Sequence, residues 1–592
     1  MLNKINLINM EDFIDNMINN EDLIFFVGSA ISKFQPTNIS EGKQLNMKLF
    51  KALTYDNKDK FLEQYNETFS KFNNTSDEFG CIPLERLISK INSFYKKHTA
   101  KNPLDYFNYL KNVKPNMIHK ILLDITFKKK NKIILTTNFD CAFENVELKG
   151  INIIPITYLN IQNFNNNIYN DYVKIIKLHG SFDNQETVIM SLERESIGLK
   201  KELQDLLHKL LENKSICFIG YSGNDIDILP ILINIKFKEI YWLRRTKTFD
   251  KNAKDKFIKS RVGIFLEKNK TYLCENNIIK IFNHINQNVY KNKYNNLPDN
   301  IIEEDVYNNF VFDINTDIPL PYRYLLISDV FIDLLQFKIS EKILLRSFKI
   351  AKKLWKKVDD IAEFKKQYYH LLWYIYNQWG LLTKAHKYSK KYYKLLNNKK
   401  DYDYYEAKLC IINSLIMLRK LKNAKRKLEE IKEELQKNII LNNEEKEKIN
   451  LNILNYELKI DELAYSINLK LNNGYKFFND ETLKILENVS NKNGDIGSII
   501  DCQLYRLRLK NYKNTNSLKN LIEEYSDFIN KYKIIGQVLT YFNILRDKSN
   551  ILIKQGKYKD AVDIHKFIIS KAKLYGNDYQ TLWKSHFYLK IL

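Results

Sequence analysis

Five short apolar runs in the first half of the chain constrain its fold more than any other feature. They are Leu23–Val27 (LIFFV), Ile133–Thr137 (IILTT), Val173–Leu178 (VKIIKL), Ser215–Ile219 (SICFI) and Glu239–Leu243 (EIYWL), with a further candidate at Val262–Leu266. Bounded by Gly, Asn or Asp, such runs suit strands buried on both faces of a parallel sheet. Helical patterns lie between them, as at Asn116–Phe127 and Leu199–Leu211. Strand–helix alternation predicts an α/β, Rossmann-like, doubly wound fold. Residues 40–113 hold no clear strand and read as a helical insertion after the first strand.

Near residue 290 the character changes. The stretch NNLPDNIIEEDVYNNF is polar, and DIPLPYRY follows it; beyond Pro321 there is no proline, and apolar residues recur at helical spacing. The expected division is a first domain at 1–290, a linker at 291–320 and an all-α domain at 321–592. The second half repeats itself weakly. Gly380 is followed five residues later by Ala385, Gly556 by Ala561, and Arg419 by Ala424 in a stretch of the same shape. A small residue can end one helix, and the alanine lets the next pack close. Gly380 and Gly556 lie 176 residues apart, about five periods of the ~34-residue tetratricopeptide unit. The region resembles a divergent tetratricopeptide-type solenoid; an irregular helical bundle is the alternative.

Composition narrows the partners. The 592 residues carry a net charge of +24, yet 82 of the 94 basic residues are Lys and 12 are Arg. The lysines are spread along the chain, whereas nucleic-acid readers concentrate basic residues on one face. A nucleic-acid partner is therefore not expected, although the positive field can attract acidic ones. The first residues show no apolar core with a cleavage site, and the best membrane candidate, Tyr324–Phe337, is short and cut by Asp329 and Asp333. Six scattered cysteines without a C-x-x-C pair support neither a zinc ribbon nor a disulfide framework. A cytoplasmic protein without a metal is the expectation.

Four pieces fall at strand ends. FFVGSAIS (residues 25–32) runs a strand into Gly28 and small residues, which let a backbone approach a pyrophosphate; a plain tight turn reads nearly as well. LTTNFD (135–140) places Asn138 and Asp140 where they can bond ribose hydroxyls or merely cap a turn. KLHGS (177–181) ends a strand on His179, and FIGYSGND (218–225) ends another at Gly220 and Ser222. Four such ends on one edge of one sheet point to a ligand cleft.

In order, Gly28–Ser32 (GSAIS), Pro115–His119 (PNMIH), Thr136–Asp140 (TTNFD), Leu178–Ser181 (LHGS) and Gly220–Ser222 (GYS) resemble the sirtuin NAD-binding core. The resemblance covers about residues 10–270 and implies a cleft that cleaves the nicotinamide–ribose bond of NAD. It implies that Gly28, Ser29, Ala30 and Ser32 face the phosphates and ribose, with Thr137 and Gly180 also lining the NAD site. Asn138 and Asp140 would sit by the nicotinamide ribose, His179 would be the general base, and Gly220 and Ser222 would lie along the adenosine half. His119 is expected to support the site from a helix beneath it.

The departures sharpen the expectation. Ala30 stands where the family carries a third Gly, and ISKFQPTN lacks the acidic and arginine residues that usually follow the Gly-rich turn. No cysteine quartet lies between His179 and Gly220, where protein-deacylating sirtuins carry a zinc module. The chain is more similar to bacterial sirtuin-like NAD hydrolases, which carry a long helical second half and act in antiphage defence. That similarity implies an NAD glycohydrolase using His179, Asn138 and Asp140, a homo-oligomer, and a phage or partner protein that triggers it through the helical half. An NAD- or ADP-ribose-binding module and a protein deacylase or ADP-ribosyltransferase are the alternatives.

Overall fold

In the first half, eight strands form one sheet: β1 (Ile5–Ile8), β2 (Leu23–Val27), β3 (Ile133–Thr136), β4 (Ile153–Ile156), β5 (Val173–Lys177), β6 (Ser215–Ile219), β7 (Glu239–Arg244) and β8 (Thr271–Glu275). Their order is β1-β8-β7-β6-β2-β3-β5-β4, and every neighbouring pair is parallel. This computed structural model describes residues 5–40, 42–55, 61, 63–73, 84–98, 102–190, 199–223, 225, 227–244, 261–297, 317–334, 336–355, 358–396, 400–466, 483–485, 488, 496–513, 518–533, 538–574, 585 and 589.

The five runs named from the sequence are β2, β3, β5, β6 and β7. Every residue of β2, β3 and β6 is buried, as strands covered on both faces require. The candidate at Val262–Leu266 is instead part of a helix, Arg261–Glu267, and the strand follows it as β8. A short apolar run does not declare its period, so helix and strand look alike there. Two further strands, β1 and β4, lie at the sheet's edges. β4 carries Pro155, which cannot donate to a ladder and is tolerated at an edge.

In chain order the helices of this half are α1 (Met10–Asn19), α2 (Gly42–Thr54), α3 (Tyr65–Asn73), α4 (Leu84–His98), α5 (Met117–Phe127), α6 (Lys201–Leu211), α7 (Leu229–Leu232), α8 (Arg261–Glu267) and α9 (Ile278–Asn288). Asn116 caps α5 by accepting from the amides of Ile118 and His119. Phe13, Phe25, Ile121, Ile134, Ile175 and Phe282 belong to one core joining sheet and helices.

The chain divides into two compact units, residues 1–48 with 83–310 and residues 49–82 with 311–592. The stretch 49–82, inside the insertion, thus belongs with the helical half. Within that unit Phe50 stacks on Phe69 at 3.8 Å, and both Phe50 and Tyr65 meet Phe331 edge-on. Arg323 donates to the Tyr55 carbonyl at 2.6 Å.

The helical unit continues through α10 (Leu320–Asp333), α11 (Phe337–Leu354), α12 (Val358–Gln378), α13 (Leu382–Lys394), α14 (Tyr402–Met417), α15 (Leu421–Gln436), α16 (Asn443–Ser466), α17 (Ile496–Lys513), α18 (Leu518–Lys533), α19 (Val538–Lys554) and α20 (Tyr558–Leu574). Three of its turns repeat the same bonds. Leu381, Lys420 and Lys557 donate back to the carbonyls of Tyr376, Leu415 and Leu552 at 2.8, 2.8 and 2.9 Å. This 6→1 closure is the Schellman motif, and it requires a left-handed residue. Gly380 (φ 79), Arg419 (φ 58) and Gly556 (φ 72) supply it. Ala385, Ala424 and Ala561 are then fully buried. Gln336 closes on Phe331 in the same way, with buried Ser340 in place of alanine. The sequence repeat is thus a repeat of helix hairpins, as in a solenoid. Among the described residues no helix is long and apolar enough to cross a membrane.

Candidate active site

From β2 the chain crosses to β3 on one side and later returns to β6 on the other, so strand order reverses beside β2. In open α/β sheets ligands bind outside the carboxyl ends at such a switch point. The four loops that leave β6, β2, β3 and β5 there carry all the catalytic and NAD-lining residues named from the sequence, while His119 lies on α5. Thr136 pairs with Lys177 across β3 and β5, so Asn138 and His179 each stand two residues past the last rung of neighbouring strands.

The β2 loop is a single 3₁₀ turn, Ser29–Ile31, and the next α-helix waits until Gly42. Gly28 is needed for packing against the β6 loop: a Cβ there would fall 2.4 Å from the Gly220 carbonyl oxygen. The amides of Gly28 and Ala30 donate to Ile219 and Gly220 at 3.0 and 3.3 Å. Ser29 and Ser222 are exposed, and Ala30, Thr137 and Gly220 are half-buried. These five therefore form the accessible lip, and the other named residues lie behind it.

Ser32 is the centre of a buried cluster. Its hydroxyl donates to Asp140 Oδ2 at 3.1 Å, accepts from Asn138 Nδ2 at 3.3 Å and lies 3.3 Å from His119 Nε2. Burial, with the Lys177 charge nearby, lowers the His119 pKa to about 3. The imidazole is therefore neutral, and its Nδ1 lies 2.9 Å from Asn116 Oδ1 and 3.3 Å from the Asn116 amide nitrogen. Asp140 Oδ1 accepts from the Ala142 amide, so both carboxylate oxygens are engaged inside the protein. Asn138 is fixed through its amide, bonded to Thr136 Oγ1, and through Nδ2, 3.4 Å from the Gly28 carbonyl. Its carbonyl oxygen Oδ1 is buried with no partner among the described residues. A buried acceptor left without a donor is costly, so this atom is poised for a hydroxyl or a water.

His179 is 6% exposed and belongs to a second cluster. Its Nε2 lies 3.2 Å from Asp227 Oδ1, and Nδ1 lies 4.0 Å from Asp225 Oδ1. Asp227 is fully buried; burial, with the Asp227 charge adding and His179 opposing, holds the Asp225 carboxyl above its usual range. The turn after His179 is rigid. Gly180 has φ +81, and a Cβ would meet the Thr187 carbonyl at 2.1 Å. The Ile189 amide donates to the His179 carbonyl at 2.8 Å.

Lys177, Glu144 and Asp227 were not singled out from the sequence. Lys177 is buried at the end of β5, donates to the Asp140 carbonyl and pairs with Glu144 at 2.9 Å. Burial disfavours its charge, but Glu144 and Asp140 outweigh that and raise its pKa. A lysine inside an apolar strand was the available signal. For Asp227 the signal was the alternating pair Asp225 and Asp227 after β6. Among the described residues no group of three or more His, Cys, Asp and Glu is placed to hold a metal ion.

Residues 132–250 match the family model of a SIR2-like domain. That segment runs from β3 through β7 and contains Asn138, Asp140, His179, Gly220, Ser222 and Asp227; Gly28–Ser32 lie outside it. Domains of this kind are NAD-dependent enzymes. Among curated proteins none matches the chain in sequence. One structure similar over 98% of this chain and 91% of its own is a Signal Transduction ATPase with Numerous Domains, with a tetratricopeptide repeat sensor, from Pyrococcus horikoshii. It is 12% identical, and its TM-score of 0.19 is below that of chains sharing a fold.

Proposed function

We propose that the rim of the SIR2-like sheet hydrolyses NAD, breaking the nicotinamide–ribose bond to give nicotinamide and ADP-ribose. The observation that carries the reading is the buried Asn138 Oδ1 without a donor, at the same rim as a histidine tied to a buried carboxylate. Nicotinamide leaves as a neutral molecule, so the protein need not protonate it. The remaining tasks are to hold the ribose and to supply water. Asn138 Oδ1 accepts from a ribose hydroxyl or from the attacking water. Asp227 takes the Nε2 proton of His179 in a hydrogen bond, which fixes the tautomer and leaves Nδ1 as the basic atom. Nδ1 receives the proton that water or a ribose hydroxyl gives up, and it passes to solvent afterwards. Asp140 acts through Ser32, keeping the Asn138 amide in place. Ser29, Ala30, Thr137, Gly220 and Ser222 line the path of the dinucleotide.

The division of labour we propose is catalysis in the first domain (1–290), a linker (291–320) and a sensor or assembly platform in the helical domain (321–592). Uncontrolled loss of NAD would kill the cell, which fits a triggered antiphage effector that oligomerises. The hairpin repeats around Gly380, Arg419 and Gly556 give that platform an extended surface.

Full-length protein incubated with NAD, with nicotinamide and ADP-ribose measured, tests the activity. His179→Ala and Asn138→Ala each lower the rate by at least ~10²-fold. Asp227→Asn, which keeps the shape but replaces the carboxylate holding the ring, costs less than either. Turnover unchanged in His179→Ala overturns the assignment. Nicotinamide release that needs an added acyl-lysine peptide or acceptor protein would instead identify a transferase.

A further inference from the structure

Folding sorts the lysines that look evenly spread along the chain. Helix α11 carries six cations, Lys338, Lys342, Arg346, Lys349, Lys352 and Lys353, and all six are exposed. Its one acid, Glu341, accepts from the Tyr376 hydroxyl of α12. Helix α13 carries five lysines and no acid, with Lys384, Lys387, Lys390 and Lys394 exposed. Helices α15 and α16 of the same unit lack this bias. In α15 five cations face four acids, and in α16 three cations face six acids.

The two basic helices both pack on α12. Tyr376 of α12 bonds Glu341 of α11, while its ring stacks on Tyr388 of α13 at 5.4 Å. Both helices therefore flank the same edge of α12, as successive second helices do in a hairpin solenoid. The basic ground continues to the start of α15: His386 of α13 has its pKa lowered by burial and then by Lys390, Lys420 and Lys427. From Lys338 to Lys353 the cations extend about 23 Å at 1.5 Å per residue.

We propose that this face, α11 with α13, binds the phosphate backbone of a nucleic-acid duplex. The surface offers charge without an anchor. Protein interfaces centre on aromatic groups that enter a dry pocket. Here the tyrosines are already taken: Tyr369 and Tyr376 both contact Tyr388, and Lys384 and Lys391 lie over their rings. Leu345 and Leu354 are exposed on α11 but nine residues apart, and scattered apolar residues do not make an interface core. A phosphate backbone asks for cations spread along a surface and nothing more. The inference does not depend on NAD cleavage.

The test uses full-length protein, a short fluorescein-labelled DNA duplex of mixed sequence, and anisotropy titrations at several salt concentrations. The variant carries Lys342→Gln, Arg346→Gln, Lys387→Gln and Lys390→Gln. A control of equal net charge carries Lys149→Gln, Lys201→Gln, Lys280→Gln and Lys559→Gln. The first variant binds at least ~10-fold more weakly, and its slope of log affinity against log salt is shallower by about 3 to 4, while the control binds as the parent does. Absence of saturable binding, equal loss in the control, or displacement of the duplex by polyglutamate at matched charge would each overturn the proposal; the last would make the face a site for acidic proteins.

Discussion

At the rim of the sheet, Ser32 is held by partners 87 and 108 residues away in the chain. In the helical unit, the turn at Gly380 is closed by Leu381 bonding Tyr376, five residues back. The first region is built from distant pieces whose polar groups satisfy one another inside the protein. In the second, the repeated turns are each closed by residues close together in the chain. The difference teaches where each region is fragile. The rim depends on every member of a buried network, whereas the hairpin turns depend on one backbone conformation at a time.

Lys177→Met attacks the network hardest. It leaves the half-buried Glu144 without its cation and the Asp140 carbonyl without a donor. A loss of about 3–5 kcal/mol in denaturant unfolding is expected, the cost of removing one partner from a buried pair. A loss below about 1 kcal/mol would mean the cluster is not charged, and the contrast with the solvated turns would fail.

Acid probes the same network more gently. The His119 pKa is about 3 in the folded protein, against about 6.5 when unfolded. A base whose pKa is lowered by folding gives stability that is complete above its unfolded pKa and is lost as pH falls towards the folded value. Between pH 7 and pH 5 this group alone costs about 2 kcal/mol. His119→Gln should flatten that part of the melting-temperature profile; an unchanged acid slope would place the sensitivity elsewhere.

The smallest effects belong to the turns. Gly556 has φ +72 with nothing within 4 Å of a built Cβ, so Gly556→Ala meets only the backbone penalty. That penalty is about 1 kcal/mol, and Arg419→Gly should return a similar amount, because Arg419 occupies the same conformation at φ 58. Thermal melts of the two variants should shift in opposite directions. Shifts of the same sign would break the equivalence of the turns.

How much was legible in the sequence follows the same division. Local signals read well: the apolar runs of β2, β3, β5, β6 and β7, the helical pattern of α5, and the repeated spacing from Gly380, Arg419 and Gly556 to a buried alanine. Short or edge elements did not. Val262–Leu266 is helical because its neighbours make it so, and β1 and β4 lack the continuous burial that marks central strands. At the site, Asn138 and His179 could be singled out because each closely follows an apolar run that ends a strand. Asp227 was hidden because a carboxylate eight residues past a strand looks like any turn residue until the fold places it 3.2 Å from an imidazole. Lys177 was hidden because its partner Glu144 comes from another loop.

The stretch 49–82 follows the Gly-rich turn in the chain yet shares its core with α10, through Phe50, Tyr65 and Phe331. Order along the gene and membership in a folded body therefore diverge. A single cut near residue 310 would not release two intact halves. The front fragment would carry an aromatic patch stripped of its cover, and the rear fragment would lack part of its own interior. Anyone dividing this protein to study either function alone would have to move that loop with the helices, by circular rearrangement or by supplying it as a separate peptide.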